Sequence, residues 1–253
     1  MRRLEGKVIV VAGAGGIGDE LARRYAAEGA AVVLGDRDPA AAEAAAAQIA
    51  ASGGTAVATA LDGADDESVR ALVALAVSRF GGLDGFHANY ASFADGQSGA
   101  DIVGLPLAAF DEVMDTNARG FVLCTRHAVP AMLERGGGSI VYTTSGAAFI
   151  GEPVRAAYAM SKVAVHALVR HVARRFGPQG IRANAIAPGV IAHARFDAVM
   201  PADVVETMLA RIPVGRLGRP QDIAAMGALL MADEGSFITG QVLSVDGGAS
   251  MRQ

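Results

Sequence analysis

Short apolar runs alternate along the whole chain with longer stretches in which apolar positions recur every three or four residues. The runs KVIVVA from Lys7, AAVVLGD from Ala30, TAVATALD from Thr55 and LDGFHAN from Leu83 are of the first kind. So are GSIVYTT from Gly138, IRANAIA from Ile181 and QVLSVD from Gln241. Each is apolar throughout instead of alternating, the pattern of a strand covered on both faces, as in a parallel sheet. Between them, residues 19–29, 39–52, 66–81, 107–136 and 157–177 carry helical spacing, and several of these segments close on glycine, the residue favoured just past a helix end. The pattern predicts a doubly wound α/β fold of about seven parallel strands between two helical layers. No Pro/Ser-rich linker or internal repeat interrupts it, so residues 1–253 are read as one domain.

Composition narrows the setting. Charged residues are 19% of the chain and the net charge is −4, which points away from nucleic acid and acidic membrane surfaces as partners. No apolar run approaches the ~18–20 residues of a membrane span. The N-terminus lacks signal-peptide architecture, and a single cysteine, Cys124, fits a reducing compartment. A cytoplasmic protein is expected, and the 32 glycines are expected at tight turns.

The first turn carries chemistry. GAGGIG follows the first strand and opens the first helix, so Gly13, Gly15 and Gly18 satisfy the G-x-G-x-x-G spacing in the strand–turn–helix context it requires. Such a turn lets backbone approach a pyrophosphate at a helix N-terminus. The second strand ends in Asp36, 36 − 13 = 23 residues on, placed for the ribose hydroxyls of a dinucleotide. A carboxylate there repels the extra phosphate of NADP, whereas the adjacent Arg37 could pair with it. The carboxylate is the stronger term, and NAD is the expected cofactor.

In AAYAMSK, Tyr158 and Lys162 stand four apart, stacked on one helix face. A phenol ionises near pH ~10, and bringing it two to three units lower takes about 3–4 kcal/mol. A cation at ~5 Å in an effective dielectric near 20 supplies roughly 3 kcal/mol. The spacing is thus sufficient to make a phenolate, although spacing alone does not distinguish it from a surface pair.

The surrounding motifs decide between these. The glycine loop, Asp62 after the third strand, MDTNARG with Asn117, and GGGSIVYTTSGAA with Ser145 occur in order, followed by YAMSK, NAIAPGVI with Pro188 and Gly189, and GRLGRPQDIA…ITGQVLSVDGG. From Glu5 to Gly248 the chain resembles the short-chain dehydrogenase/reductase family, including the 13-residue interval from Ser145 to Tyr158. The resemblance implies interconversion of a secondary alcohol and a ketone by hydride transfer. It makes Tyr158 the general acid/base, Lys162 the group that lowers its pKa and binds the nicotinamide ribose, and Ser145 the hydrogen-bond partner of the substrate oxygen. Asn117 would hold a water in a proton relay to Lys162. Cofactor contacts are implied for Gly13, Gly15, Gly16, Ile17, Gly18, Asp36, Arg37, Asp62, Gly63, Asn89, Pro188, Gly189 and Ile191, together with Tyr158 and Lys162. It further implies a homotetramer and a substrate lid over residues 190–215. In the lid, a loop with a short amphipathic helix, His193, Phe196, Val199 and Met200 are inward candidates, as is Phe149, and Arg195 is the only charge. That makeup favours a compact apolar or cyclic alcohol.

The pattern is also broken. The glycine loop is one residue shorter than the family form and lacks its threonine. The Asn-Asn-Ala-Gly stretch reads Ala88-Asn89-Tyr90-Ala91, with Tyr90 adding bulk on the adenosine side. His193 replaces a threonine that contacts the carboxamide; it could donate in its place, face the substrate, or face solvent. His87 lies where the family has an apolar residue and is read as a buried, satisfied histidine. His127, His166 and His171 lack ligand spacing, and no metal is expected. Other readings are an NADP-dependent carbonyl reductase and a cofactor-binding scaffold or sensor without turnover.

Overall fold

The computed structural model describes all residues except 1, 97–98, 194–195, 197–199 and 252–253. Seven strands form one sheet: β1 (Val8–Ala12), β2 (Ala31–Asp36), β3 (Thr55–Ala60), β4 (Gly85–Ala88), β5 (Gly138–Thr143), β6 (Ile181–Pro188) and β7 (Val242–Val245). Every strand expected from the apolar runs is present, with ends shifted by no more than two residues. The order is β3-β2-β1-β4-β5-β6-β7, all neighbours parallel. Strand order reverses between β1 and β4, which opens a crevice at their C-terminal ends.

The helices are α1 (Ile17–Ala27), α2 (Pro39–Ala51), α3 (Asp66–Phe80), α4 (Leu107–Met114), α5 (Gly120–Glu134), α6 (Ala156–Phe176), α7 (Ala202–Leu209) and α8 (Pro220–Met231). Their starts are written locally. Asp38 caps α2 by accepting from the Ala40 and Ala41 amides, with Pro39 at the first helical position. Asp65 caps α3 through the Ser68 amide, and Gly81, at φ 84°, ends it.

Alternate residues of β1 feed two cores. Val8, Val10 and Ala12 pack with Val69 and Leu72 of α3, Phe121 and Val129 of α5 and Val165 of α6. Ile9 and Val11 pack with Leu21 and Tyr25 of α1, Ala42 and Ile49 of α2 and Ile223 and Ala228 of α8. This is the double cover that continuous apolar strands require.

Two elements depart from the sequence expectation. Residues 220–231 form α8, which the helical patterning did not single out. The segment 107–136 is not one helix: a π turn over Asp115–Arg119 divides α4 from α5.

Candidate active site

The glycine loop sits at the crevice. A Cβ on Gly18 would collide with the Gly13 carbonyl oxygen, so the first turn of α1 presses against the loop with no room for a side chain. Gly13, at φ 98°, lies against the Tyr90 backbone. Above Gly15 nothing stands within 4 Å, leaving the loop's outer face open. Asp36, at the end of β2, accepts from the Ala14 amide at 2.7 Å, the Gly15 amide at 3.2 Å and the Asp38 amide at 2.9 Å. Its carboxylate therefore anchors the short loop, a role the sequence pattern did not reveal. Arg37 beside it is exposed.

Several residues that the sequence grouped as cofactor contacts are tied by hydrogen bonds to this loop or to the segments beside it. Asn89 donates to the Gly13 carbonyl at 3.1 Å. Asp62 accepts from the Ala64 amide at 2.9 Å, and the Gly63 carbonyl accepts from the Tyr90 hydroxyl at 3.0 Å. The Tyr90 ring fills space left free by Gly63 and Gly120 and meets Phe121 edge-on at 5.2 Å. Its bulk is thus directed under the loops toward α5. Ile17 opens α1, Pro188 ends β6, Gly189 is pinned by the Val245 carbonyl at 3.1 Å, and Ile191 is buried and bridged to Gly218. The His193 ring faces Gly16, 3.7 Å from where a Cβ would be, and its Nδ1 accepts from the Phe196 amide at 3.3 Å. It is half-buried over the glycine loop, not turned to solvent. Val199 and Arg195 lie outside the described residues. An open, side-chain-free loop at a helix N-terminus, with an acid fixed at the next strand end, fits a nicotinamide dinucleotide.

At the other end of the crevice, Ser145 follows β5, and Tyr158 and Lys162 project from the first two turns of α6. Tyr158 is 9% exposed and Lys162 is 1% exposed. The Lys162 ammonium donates to the Thr143 carbonyl at 2.9 Å and lies 5.6 Å from the Tyr158 ring centroid and 5.0 Å from that of Phe121. Burial pushes its pKa down to about 7. Burial also holds the Tyr158 phenol above its ordinary value, against the downward pull of a hydrogen bond with Ser145 and of the Arg155 guanidinium; Glu152 acts upward. The field at the phenol therefore contains a cation that the sequence reading, centred on Lys162, left out.

Asn117 lies in the π turn, fully buried. Its carboxamide oxygen accepts from the Ser92 amide at 2.7 Å, and its nitrogen donates to the Ser92 carbonyl at 2.9 Å and to Ser161 Oγ at 3.3 Å. The carboxamide thereby fixes the segment after β4 to α6. Phe93, one residue on, stacks on Tyr158 with centroids 4.7 Å apart. Arg155 and Phe93 are the site residues that pattern reading missed. Arg155 precedes α6 in a left-handed backbone conformation, so helical spacing gave no signal for it.

The other histidines have plain environments. His87 is buried and bonded at both nitrogens. His127 meets Asp66 at 2.7 Å, His166 meets Thr144 at 3.1 Å, and His171 is exposed. Among the described residues no cluster could hold a metal. Burial pushes the Cys124 thiol up to about 12, which leaves it inert.

A glycine loop at the switch point of a parallel sheet, with a half-buried serine and a buried tyrosine and lysine gathered beside it, defines an oxidoreductase that works with a nicotinamide dinucleotide. Comparisons with known proteins make the class specific. A family model described as Enoyl-(Acyl carrier protein) reductase matches residues 11–250. The chain is 40% identical to 2,5-dichloro-2,5-cyclohexadiene-1,4-diol dehydrogenase of Sphingobium indicum, covering 98% of both chains. It is 40% identical to cis-4-hydroxycyclohexanecarboxylate dehydrogenase of Sinomonas cyclohexanicum, covering 96% of both. The structure of 7α-hydroxysteroid dehydrogenase with NADH and 7-oxo glycochenodeoxycholic acid superposes with a TM-score of 0.92 at 35% identity, over 97% of this chain and 95% of that one. The protein belongs to the short-chain dehydrogenase/reductase family, and it is an oxidoreductase acting between alcohols and carbonyl compounds.

Proposed function

We propose that the protein is an NAD-dependent dehydrogenase of cyclic secondary alcohols, with residues 190–215 forming a lid over a single catalytic domain. The carrying observation is the Tyr158 phenol, buried against Ser145 with Lys162 one turn along the same helix. When bound, the nicotinamide supplies the hydride acceptor or donor. The chain's own residues manage the proton. Ser145 holds the substrate oxygen, and Tyr158 takes the hydroxyl proton during oxidation or returns it during reduction. Lys162, when protonated, adds positive charge beside the phenol. With the Asn117 carboxamide committed to Ser92, any part Asn117 has in a relay falls to its main-chain carbonyl.

Asp36 supports NAD over NADP, since three backbone N–H groups fix a carboxylate at the end of β2, and a negative charge there repels the extra phosphate. The exposed Arg37 is the feature that favours the NADP-dependent carbonyl reductase instead. The intact Ser145, Tyr158 and Lys162 grouping speaks against a scaffold without turnover. The substrate class rests on the aromatic surroundings of the phenol, Phe93 above all, and on the ring alcohols named for two relatives. A polyhydroxylated chain would leave hydroxyls unpaired there, at about 1–3 kcal/mol each. We place the enzyme in the cytoplasm, in keeping with its single buried cysteine, and assign it a homotetrameric state.

Steady-state NADH formation with a cyclic secondary alcohol and with a sugar alcohol at equal concentration tests this reading. A preference for the ring alcohol with NAD is expected. Preference for the sugar alcohol would refute the substrate class, and preference for NADP would refute the cofactor.

A further inference from the structure

A chain of hydrogen bonds, buried at Tyr25 and His87 and part-buried at Asn89, runs from α1 to the glycine loop. The Tyr25 hydroxyl is 2.7 Å from His87 Nδ1, and His87 Nε2 is 3.0 Å from Thr143 Oγ1. Thr143 Oγ1 donates to Asn89 Oδ1 at 2.8 Å, and Asn89 Nδ2 donates to the Gly13 carbonyl at 3.1 Å. The directions follow from proton counting. The Gly13 carbonyl and the Asn89 oxygen only accept, so the single proton of the Thr143 hydroxyl is committed to Asn89. Toward His87 that hydroxyl can only accept. Nε2 therefore carries the imidazole proton, and Nδ1 accepts from Tyr25. Every bond points the same way, and only a neutral imidazole completes the series. Burial agrees, pushing the His87 pKa down to about 3.

The two ends show what the series holds. At the Tyr25 end, Gly227 of α8 leaves room for the hydroxyl, where a Cβ would collide with it. At the other end is the Gly13 peptide, against which the first turn of α1 closes through Gly18. In the middle, the carbonyl of Thr143 receives the Lys162 ammonium.

We propose that His87 is a positioning residue: by orienting the Thr143 hydroxyl it fixes Asn89 and, through it, the Gly13 carbonyl that shapes the cofactor loop. Without the imidazole N–H the Thr143 hydroxyl is free to turn, Asn89 Oδ1 loses its fixed donor, and the Asn89 amide no longer has one preferred orientation at Gly13. The effect falls on cofactor binding more than on the chemical step, because Tyr158 and Ser145 lie outside the series.

The inference rests on the glycine loop being the dinucleotide site, so one readout must be independent of cofactor. His87→Leu alone strands the Tyr25 hydroxyl in the core; the double variant Tyr25→Phe/His87→Leu removes that unpaired group and protects the fold. In the double variant, amide hydrogen exchange of the free protein should quicken in the peptide carrying Gly13–Gly18 while the core strands keep their protection. NADH titration should show a dissociation constant raised about tenfold, near the worth of one buried hydrogen bond, and the Michaelis constant for NAD should rise with kcat little changed. Thr143→Val should reproduce the faster loop exchange and the weaker NADH binding, and Thr143→Ser should not; kcat is left out of this comparison because Thr143 also holds Lys162. Combining Thr143→Val with the double variant should add nothing further. Unchanged loop exchange in the double variant would overturn the positioning role whatever the cofactor. Faster loop exchange with unchanged NADH affinity would overturn its consequence for binding. Failure of the unmodified protein to bind NADH would instead refute the assignment of the loop.

Discussion

The Arg155 guanidinium lies 6.0 Å from the centroid of the Tyr158 ring, on a residue whose backbone is left-handed at φ 60° and which opens the helix carrying that tyrosine. Its Nη2 also meets Glu152 at 3.2 Å. A cation and an anion thus face the phenol from the α6 entrance, Lys162 faces it from the next turn, and Ser145 bonds it from beyond β5. Arg155 favours phenolate and Glu152 opposes it. For alcohol oxidation with Tyr158 as base, Arg155→Gln should move the rising limb of the kcat/KM–pH profile to higher pH. Glu152→Gln should move it to lower pH. Shifts of the same sign, or none, would remove both residues from the electrostatics of the site.

Tyr158→Phe keeps the ring against Phe93 and deletes only the oxygen. Turnover should fall about 100-fold or more, while NADH titration shows binding retained. Near-normal turnover would show that the proton travels another way.

Lys162 imposes a stability cost with a definite pH signature. Its folded pKa, about 7, is depressed from the ordinary 10.5. Between those values the unfolded chain binds a proton that the folded chain does not, so stability rises with pH, by up to about 1.4 kcal/mol per unit. Lys162→Met should lose this slope and be the more stable protein at neutral pH and below, though inactive. Urea denaturation at pH about 7 and about 9 measures both quantities. A variant with the same slope as the unmodified protein would contradict the depression.

Asp36→Ala removes the obstacle to a 2′-phosphate and releases the Ala14 and Gly15 amides from their acceptor. The ratio of NADP to NAD activity should rise, yet neither cofactor should match the original NAD rate, with kcat/KM for NAD down about tenfold or more. Parallel assays with both cofactors settle it, and an undiminished NAD rate would mean that the carboxylate contributes nothing to the loop.

Val122 of α5 and Met160 and Val163 of α6 are each close to half exposed, and β7 is an edge strand. These faces suit subunit contacts built on two-fold axes. A tetramer mass in solution is expected at micromolar concentration, reduced by Val122→Glu combined with Val163→Glu. A monomer mass for the unmodified protein would refute the assembly.

How far the sequence could be read depended on range. The strands and the helices over 17–80 were legible because apolar continuity, caps and glycine ends are local properties. The π turn was not, since Asp115–Arg119 keep helical spacing on both sides and the register change answers to Asn117 bonding Ser92. In α8 the small and apolar residues of PQDIAAMGALLM leave little polar contrast to reveal a helix. Tyr158 and Lys162 were found from spacing on one helix, whereas the Asp36 anchor and the His87 bonds join residues 20 or more positions apart. His193 could only be given alternatives, because a loop side chain is aimed by what it packs on, here Gly16.

The Phe93 ring covers the Tyr158 ring at 4.7 Å, and Lys162 and Arg155 lie over it as well. One face of the Tyr158 ring is thereby occupied by Phe93, and its hydroxyl is bonded with Ser145. For a cyclic secondary alcohol of the class proposed above, a phenol stacked on one face is expected to discriminate handedness, so kcat/KM measured on two epimers of one ring alcohol should differ.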